Sequence, residues 1–247
     1  MILYVNGDSH SAGGEAVANY CFAGDDSKYW QWDMRWEPHP DNVAVSYGRV
    51  LADSYGANLY CHARSAGSND RIIRTTKEYL TNNRPDVIVI GWSTWEREEW
   101  YDDETDFWYQ VNGSGIDSVP EKWHTRYKEF VISIDNKKWI EKTIEAHEKI
   151  WEFRCYLENL KIPYFFFNCH LAFEGITELV PVHDWGLNYL DPYNLEATYV
   201  NTLLREGFTP TKYYHFGADA HKRWATILHW HVTRMLTKSK NSLTPTT

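Results

Sequence analysis

Hydrophobic and polar positions along this chain fall into two alternating rhythms. Four short runs are apolar on nearly every position: Ile2–Val5, Asn58–Ala63, Asp86–Ile90 and Ile162–Phe167. Three of them stop at Asn6-Gly7, Gly91 and Asn168. Short runs that are apolar on both faces predict strands covered on both sides, as in a parallel sheet. Between them apolar residues recur at helical spacing. Val43–Tyr55 carries Val43, Tyr47, Val50 and Leu51, and Asp70–Leu80 follows a Ser68-Asn69-Asp70 cap cluster. Residues 139–160 form the strongest helical pattern, and Ala218–Leu236 is the last one. Strand and helix alternate, which predicts an α/β domain with a doubly wound sheet and right-handed crossovers.

Three stretches break the alternation, at about residues 24–41, 92–127 and 169–212. The first is rich in Trp and Pro, the second is acidic and aromatic, and the third is irregular apart from a short helix predicted near Leu195–Arg205. The second and third follow strand C-termini, the edge where open α/β sheets bind ligands. Insertions this long inside a compact domain are usually functional.

Length and composition narrow the picture. The 247 residues are 43% apolar and 24% charged, an ordinary globular balance that excludes a disordered chain, a collagen or a disulfide mini-protein. We read residues 1–247 as a single domain. The net charge is −9 and no basic block appears, which argues against a nucleic-acid partner. The longest basic stretch, Lys238–Lys240, reads as a frayed end. No apolar run approaches the roughly 20 residues of a bilayer span. Met1–Val5 passes directly into Asn6-Gly7-Asp8, so neither a signal peptide nor an anchor is expected. Cys21, Cys61, Cys155 and Cys169 form no C-x-x-C pair and read as reduced thiols in a cytoplasmic compartment.

Four pieces could carry chemistry. Gly7-Asp8-Ser9 follows the first predicted strand, where a turn would expose a hydroxyl beside free amides. Ala66-Gly67-Ser68-Asn69-Asp70 is a small-residue turn after the second, and Gly91-Trp92-Ser93 ends the third. His215 precedes the last helix, where its loop could bring an imidazole to the first turn and form a Ser–His pair. In order and placement these blocks resemble the SGNH/GDSL hydrolase superfamily, over Ile2 to about Met235.

The resemblance implies a three-layer, flavodoxin-like fold with a mostly parallel five-stranded sheet, and serine ester hydrolysis without a cofactor or metal. It makes Ser9 the nucleophile and His215 the base. Oxyanion donors would be the amides of Ser9 and of Ala66 or Gly67 with the Ser93 hydroxyl, and Asn69 joins the binding residues. The sequence departs from the family pattern twice. Ser93 stands where that pattern has Asn, and Lys212 where it has the Asp that orients the histidine. The imidazole would then be held by a backbone carbonyl or by Asp184, Asp191 or Asp219. His221, further along the last helix, competes with His215, which the family's turn-then-helix order favours. His229 and His231 lie two residues apart and would face different sides of a helix, so they do not read as a metal pair.

The aromatic content adds a substrate class. Trp 13, Tyr 17 and Phe 10 make up 16% of the chain, and Trp clusters at Trp30, Trp32, Trp36 and at Trp92, Trp95, Trp100, Trp108. Indole faces stack on sugar rings, so these residues are expected to wall a pocket over Ser9 for a small acyl or O-acetyl ester of a carbohydrate. Trp92, Trp95 and Arg97 are the substrate-binding candidates. Seven carboxylates between Glu96 and Asp106 read as a solvated loop or helix start; a calcium site would lack its D-x-D-x-D-G pattern. A second hypothesis keeps the fold but makes the chain a binding or structural module with little turnover. Diverged chains of this type are often encoded by tailed bacteriophages. The expected partners are thus a small-molecule or glycan ester, or a homo-oligomer or phage structural partner, in the host cytoplasm or on a virion.

Overall fold

The structure is a computed structural model and describes residues 1–30, 36–113, 115–134 and 136–241. Six strands are present among these: β1 (Ile2–Asn6), β2 (Asn58–Cys61), β3 (Val87–Trp92), β4 (Glu98–Asp102), β5 (Phe107–Val111) and β6 (Tyr164–Asn168). The longer helices are α1 (Tyr47–Ser54), α2 (Asn69–Asn82), α3 (His124–Ser133), α4 (Asn136–Asn159), α5 (Tyr199–Arg205) and α6 (Ala218–Asn241). α6 includes Lys238–Lys240, expected as a frayed end.

All pairings in the main sheet are parallel, in the order β2-β1-β3-β6. Side chains alternate across it. Leu3, Val5, Val87, Val89, Phe165 and Phe167 face α1, α5 and α6 through Leu51, Leu203, Trp224 and Leu228. Tyr4, Ile88, Ile90 and Phe166 face α2 and α4 through Ile72, Ile150, Phe153 and Leu157. Covering on both faces is why these strands are continuously apolar. The helices start where the sequence caps them: the Ser46 and Ser68 hydroxyls accept the amides of Arg49 and Arg71. Ser46 also breaks the predicted Val43–Tyr55 helix into a single turn at Pro40–Val43 and α1.

The five-stranded sheet that the resemblance implies is a four-stranded one among the described residues, built from the four apolar runs of the sequence. Beyond β6 there is a single parallel bridge, Phe166 to Tyr189. It consists of the Phe166 amide donating to Asn188 O (2.8 Å) and the Leu190 amide to Phe166 O (2.9 Å). Gly186 (φ 60°) and Asp191 (φ 33°) turn the chain away on either side. Pro192 then has no amide to offer, so pairing ends after one residue.

The acidic stretch at residues 96–106 is part strand and part solvated turn: Glu98–Asp102 is β4, while Asp103, Glu104 and Asp106 lie in the exposed turn after it. It builds the antiparallel β4–β5 hairpin, which packs with α3 around Trp100, Val111, Tyr127 and Phe130. Several of its carboxylates are paired: Glu99 takes both Nε and Nη2 of Arg74 at 2.8 Å, Asp102 takes Lys122, and Glu98 takes Lys142. No helix among the described residues is long and apolar enough to cross a membrane. The four cysteines are free thiols.

His221, the competitor for His215, is part of this scaffold. It is buried, and its Nδ1 accepts the Tyr47 amide at 3.3 Å, at the start of α1. Burial, reinforced by the His215 charge, pushes its pKa down to about 3. The unfolded chain therefore binds a proton near pH 6.5 that the folded chain refuses until about pH 3. Stability should fall by several kcal/mol as pH drops across this window and level off below it. Urea midpoints at pH 7 and pH 4 test this: His221→Asn, which keeps an acceptor but cannot titrate, should show a clearly smaller difference than the wild type.

Candidate active site

The turn after β1 is tight because glycine makes it so. Gly7 has φ 155°, and a Cβ there would lie 2.7 Å from Gly91 O and nearer still to the Ser11 hydroxyl. The turn is closed by the amides of Ala12 and Gly14 donating to Asp8 O and Ser9 O. Ser9 is nearly buried, and neither its hydroxyl nor its amide makes a hydrogen bond among the described residues.

His215 reaches this turn from 200 residues away. A Cβ on Gly14 would lie 3.2 Å from Ser9 O and 3.3 Å from His215 Nε2, so glycine there lets the imidazole settle against the Ser9 turn. Its Nδ1 lies 2.8 Å from Glu15 Oε2. An ionised carboxylate only accepts, so Nδ1 carries the proton and Nε2 keeps a lone pair. The same Glu15 oxygen accepts from the Thr211 hydroxyl (2.6 Å) and the Tyr213 amide (3.2 Å). Burial alone would raise the Glu15 carboxyl, but these hydrogen bonds and the facing His215 hold it below the usual carboxylate range. The Glu15 backbone is left-handed, φ 55°, which costs about 1–3 kcal/mol in a non-glycine residue and is found where surrounding bonds impose it.

The orienting group is therefore neither a backbone carbonyl nor Asp184, Asp191 or Asp219. Asp184 accepts the Gly186 amide and Asp191 an Asn194 amide proton. Lys212 lies over the Tyr213 ring.

The second and third turns close on the first, with roles differing from expectation. The Gly67 amide donates to Arg64 O (3.0 Å), while the Ala66 amide has no partner among the described residues. Of the two alternatives, only Ala66 has its N–H free, and its backbone is left-handed, φ 59°. Asn69 spends its amide on the third turn, accepting the Ser93 N–H (2.9 Å) and donating to Ser93 O (3.3 Å). The Ser93 hydroxyl, expected as an oxyanion donor, gives its proton to Asp8 Oδ2 (3.1 Å) and accepts from Arg97 Nη1 (2.9 Å).

Arg97 also contacts Asp8 directly at 3.2 Å, so this substrate-binding candidate is anchored inside the site. Asp8 is fully buried. Burial would raise its carboxyl, but His170 at 3.5 Å, His10 and Arg97 keep it far below the usual range and ionised. His10 is buried between the His170 and His215 rings, at 4.5 and 4.9 Å. Burial and the neighbouring His170 charge hold it neutral.

Glu15, His10 and His170 are the site residues that sequence reasoning missed. His170 lay within reach of the strand-end rule, since it follows β6 by two residues. Glu15 is the only carboxylate between Ser9 and Gly24.

The tryptophans are not where the sugar argument put them. Trp92 is fully buried against Phe153 and Phe166, and Trp95 stacks on Phe173 at 5.0 Å. Both belong to the core because β3 and the chain after it run under α4. Trp100 fills the small hairpin core. Trp36 and Trp108 wall a cavity beside Ala66 instead. Trp32 and the side chain of Trp30 lie outside the described residues.

One trio among the described residues, His147, Glu148 and His183, brings potential metal donors within 4.8 Å of one another. Its geometry serves hydrogen bonding. The His147 and His183 rings are stacked at 4.6 Å and 5°, so their in-plane lone pairs run side by side rather than converging. The Tyr193 hydroxyl accepts from the Trp185 indole (3.1 Å) and the His183 amide (3.2 Å), so its own proton goes to His147 Nε2 (2.8 Å). That leaves the His147 proton on Nδ1, facing Glu148 at 3.0 Å. The trio clamps α4 to the segment after β6.

Fold and site together define an α/β protein with a parallel sheet and a histidine–carboxylate pair held at the C-terminal edge of its strands. Residues 39–181 match DUF6071, a family of unknown function, and the chain belongs to that family. A comparison with curated proteins gave no match. Among solved structures, a family 2 carbohydrate esterase with a carbohydrate-binding domain from Corynascus thermopiles (Myceliophthora fergusii) is similar. It shows 14% identity and a TM-score of 0.44, over 95% of this chain and 66% of that one. A carbohydrate esterase whose active site is described as having divergent catalytic and non-catalytic binding functions aligns at 14% identity and TM-score 0.45, over 94% and 64%. A G-D-S-L family protein from Desulfitobacterium hafniense DCB-2 aligns at 12% identity and TM-score 0.34, over 95% and 99%. The chain thus spans just under two thirds of the two carbohydrate esterase chains.

Proposed function

We propose that the protein is a serine ester hydrolase of the SGNH type. The observation that carries this reading is the Glu15–His215 pair. It fixes the proton on Nδ1 and leaves the basic Nε2 against the turn that holds an otherwise unbonded Ser9 hydroxyl. Ser9 Oγ attacks the ester carbonyl as His215 Nε2 takes its proton, and Glu15 stabilises the imidazolium. The free amides of Ser9 and Ala66 are the donors for the oxyanion. His215 then returns the proton to the leaving alcohol, and water hydrolyses the acyl-Ser9 by the same steps in reverse order. Asp8, Arg97, Ser93 and Asn69 tie the three turns together and position those donors.

A fluorophosphonate probe on the purified protein tests the reading. Covalent labelling at Ser9 is expected, together with acyl release from a panel of small acyl and O-acetyl esters. A protein that binds glycans, takes no label and releases no acyl group would instead be a binding module on this fold, a reading favoured by the commitment of Ser93 to Asp8.

A further inference from the structure

Beside the Ala66 turn lies a cavity of about 220 Å3 whose walls include Phe22, Trp36, Phe107, Trp108 and Arg64. Ligand pockets commonly run to about 300–1,000 Å3, so this one admits a single ring rather than a chain. Two of its walls come from β5, which no sheet-building need requires, since the hairpin pairs only with itself.

Arg64 makes the cavity chemically particular. Its backbone is fixed at both ends, the amide donating to Gly7 O and the carbonyl accepting the Gly67 amide. The side chain is half-buried, yet its guanidinium makes no hydrogen bond or ion pair among the described residues. The other arginines near the site are all engaged: Arg71 with His62 O, Arg74 with Glu99 and Glu78, Arg97 with Asp8. Burial pulls the Arg64 pKa below its ordinary value, with the Glu37 charge opposing. A partly desolvated guanidinium with no partner among the described residues is costly, and a carboxylate is its natural bidentate partner. Aromatic rings line the same cavity, Trp108 with Arg74 over one face at 4.6 Å, and such rings suit the C–H face of a sugar.

We infer that the cavity beside Ala66 is a subsite for a sugar acid, a pyranose whose carboxylate pairs with Arg64 while its ring lies against Trp36 and Trp108. This rests on the esterase reading only in making that sugar acid the alcohol half of the ester, its acyl group directed across Ala66 toward Ser9. The binding itself does not depend on turnover.

The test is therefore a binding titration on the Ser9→Ala protein, full length, followed by tryptophan fluorescence and calorimetry. The probes are the methyl glycosides of glucuronate and of glucose. The glucuronide should bind at least roughly tenfold more tightly, as a charge-assisted pair implies. Arg64→Gln should remove that preference, and Trp108→Ala should weaken both ligands. Thermal melting shows whether each variant is folded. Equal affinity for the two glycosides, no binding of either, or a preference that survives in folded Arg64→Gln would overturn the assignment. Binding with this preference in a protein that hydrolyses no ester would leave the subsite standing and remove the esterase reading.

Discussion

Replacing Ser9 with alanine is expected to lower ester turnover by about 10,000-fold or more and to abolish fluorophosphonate labelling. The size follows from the unit that the substitution breaks. Without the nucleophile, His215 and Glu15 have nothing to activate, and what remains is binding and oxyanion stabilisation. Stability should hardly change, since the Ser9 hydroxyl bonds to nothing in the described structure. That combination separates a catalytic loss from a folding loss. Acyl release measured on one ester with equal amounts of folded wild type and Ser9→Ala would decide it; near-equal rates would exclude Ser9 as the nucleophile.

The second large effect is expected at Glu15. Glu15→Gln preserves volume and still offers an oxygen to Thr211 and the Tyr213 amide, but it has no charge. The Gln oxygen can also accept from His215 Nδ1, since all three donors share one oxygen in Glu15, so the tautomer can be kept but the imidazolium loses the facing charge that stabilises it. A fall in kcat of about 100- to 10,000-fold with little change in KM is the expected signature. Steady-state kinetics of the two proteins on one soluble ester read it directly, and an unchanged kcat would mean that Glu15 merely packs. There is a matching stability effect. Because the folded Glu15 carboxyl sits below its ordinary range, the stabilisation it brings is present above that range and is lost as pH falls through the folded value. Glu15→Gln should lack this acid-linked loss in urea titrations between pH 7 and pH 3.

Much of this arrangement could be read from the chain because it depends on strand ends. The apolar run Ile2–Val5 followed by Gly7-Asp8-Ser9, and the runs that stop at Gly91 and Asn168, placed the turns on one edge before any coordinates did. The four apolar runs are the four strands of the sheet; the fifth strand came with the resemblance alone, and in its place residues 188–190 make a single bridge. The β4–β5 hairpin was hidden by its own charge: Glu98-Glu99-Trp100-Tyr101-Asp102 does not alternate polar with apolar positions, and its partners Arg74, Lys122 and Lys142 are remote in sequence.

Glu15 was missed for a related reason. The expected acid precedes the histidine by three residues, and Lys212 stands there; the acid that serves instead lies across a contact of 200 residues. The tryptophans misled because clustering in sequence says nothing about direction. The strand alternation of β3 turns Trp92 inward, Trp95 and Trp100 are largely buried and edge a second cavity beside Asn69 and Arg97, and Trp36 and Trp108 wall the one beside Ala66.

The span between Glu15 and His215 also has a consequence for how the protein comes into being. During synthesis the Ser9 turn and Glu15 emerge together, and His215 emerges only after all four strands of the sheet and most of the helices. A contact of this sequence separation closes late, once the intervening layers have brought the ends together. On the proposed reading, no stretch of this chain that stops short of His215 could carry the site, so any hydrolysis requires that the intervening sheet and helices have been made.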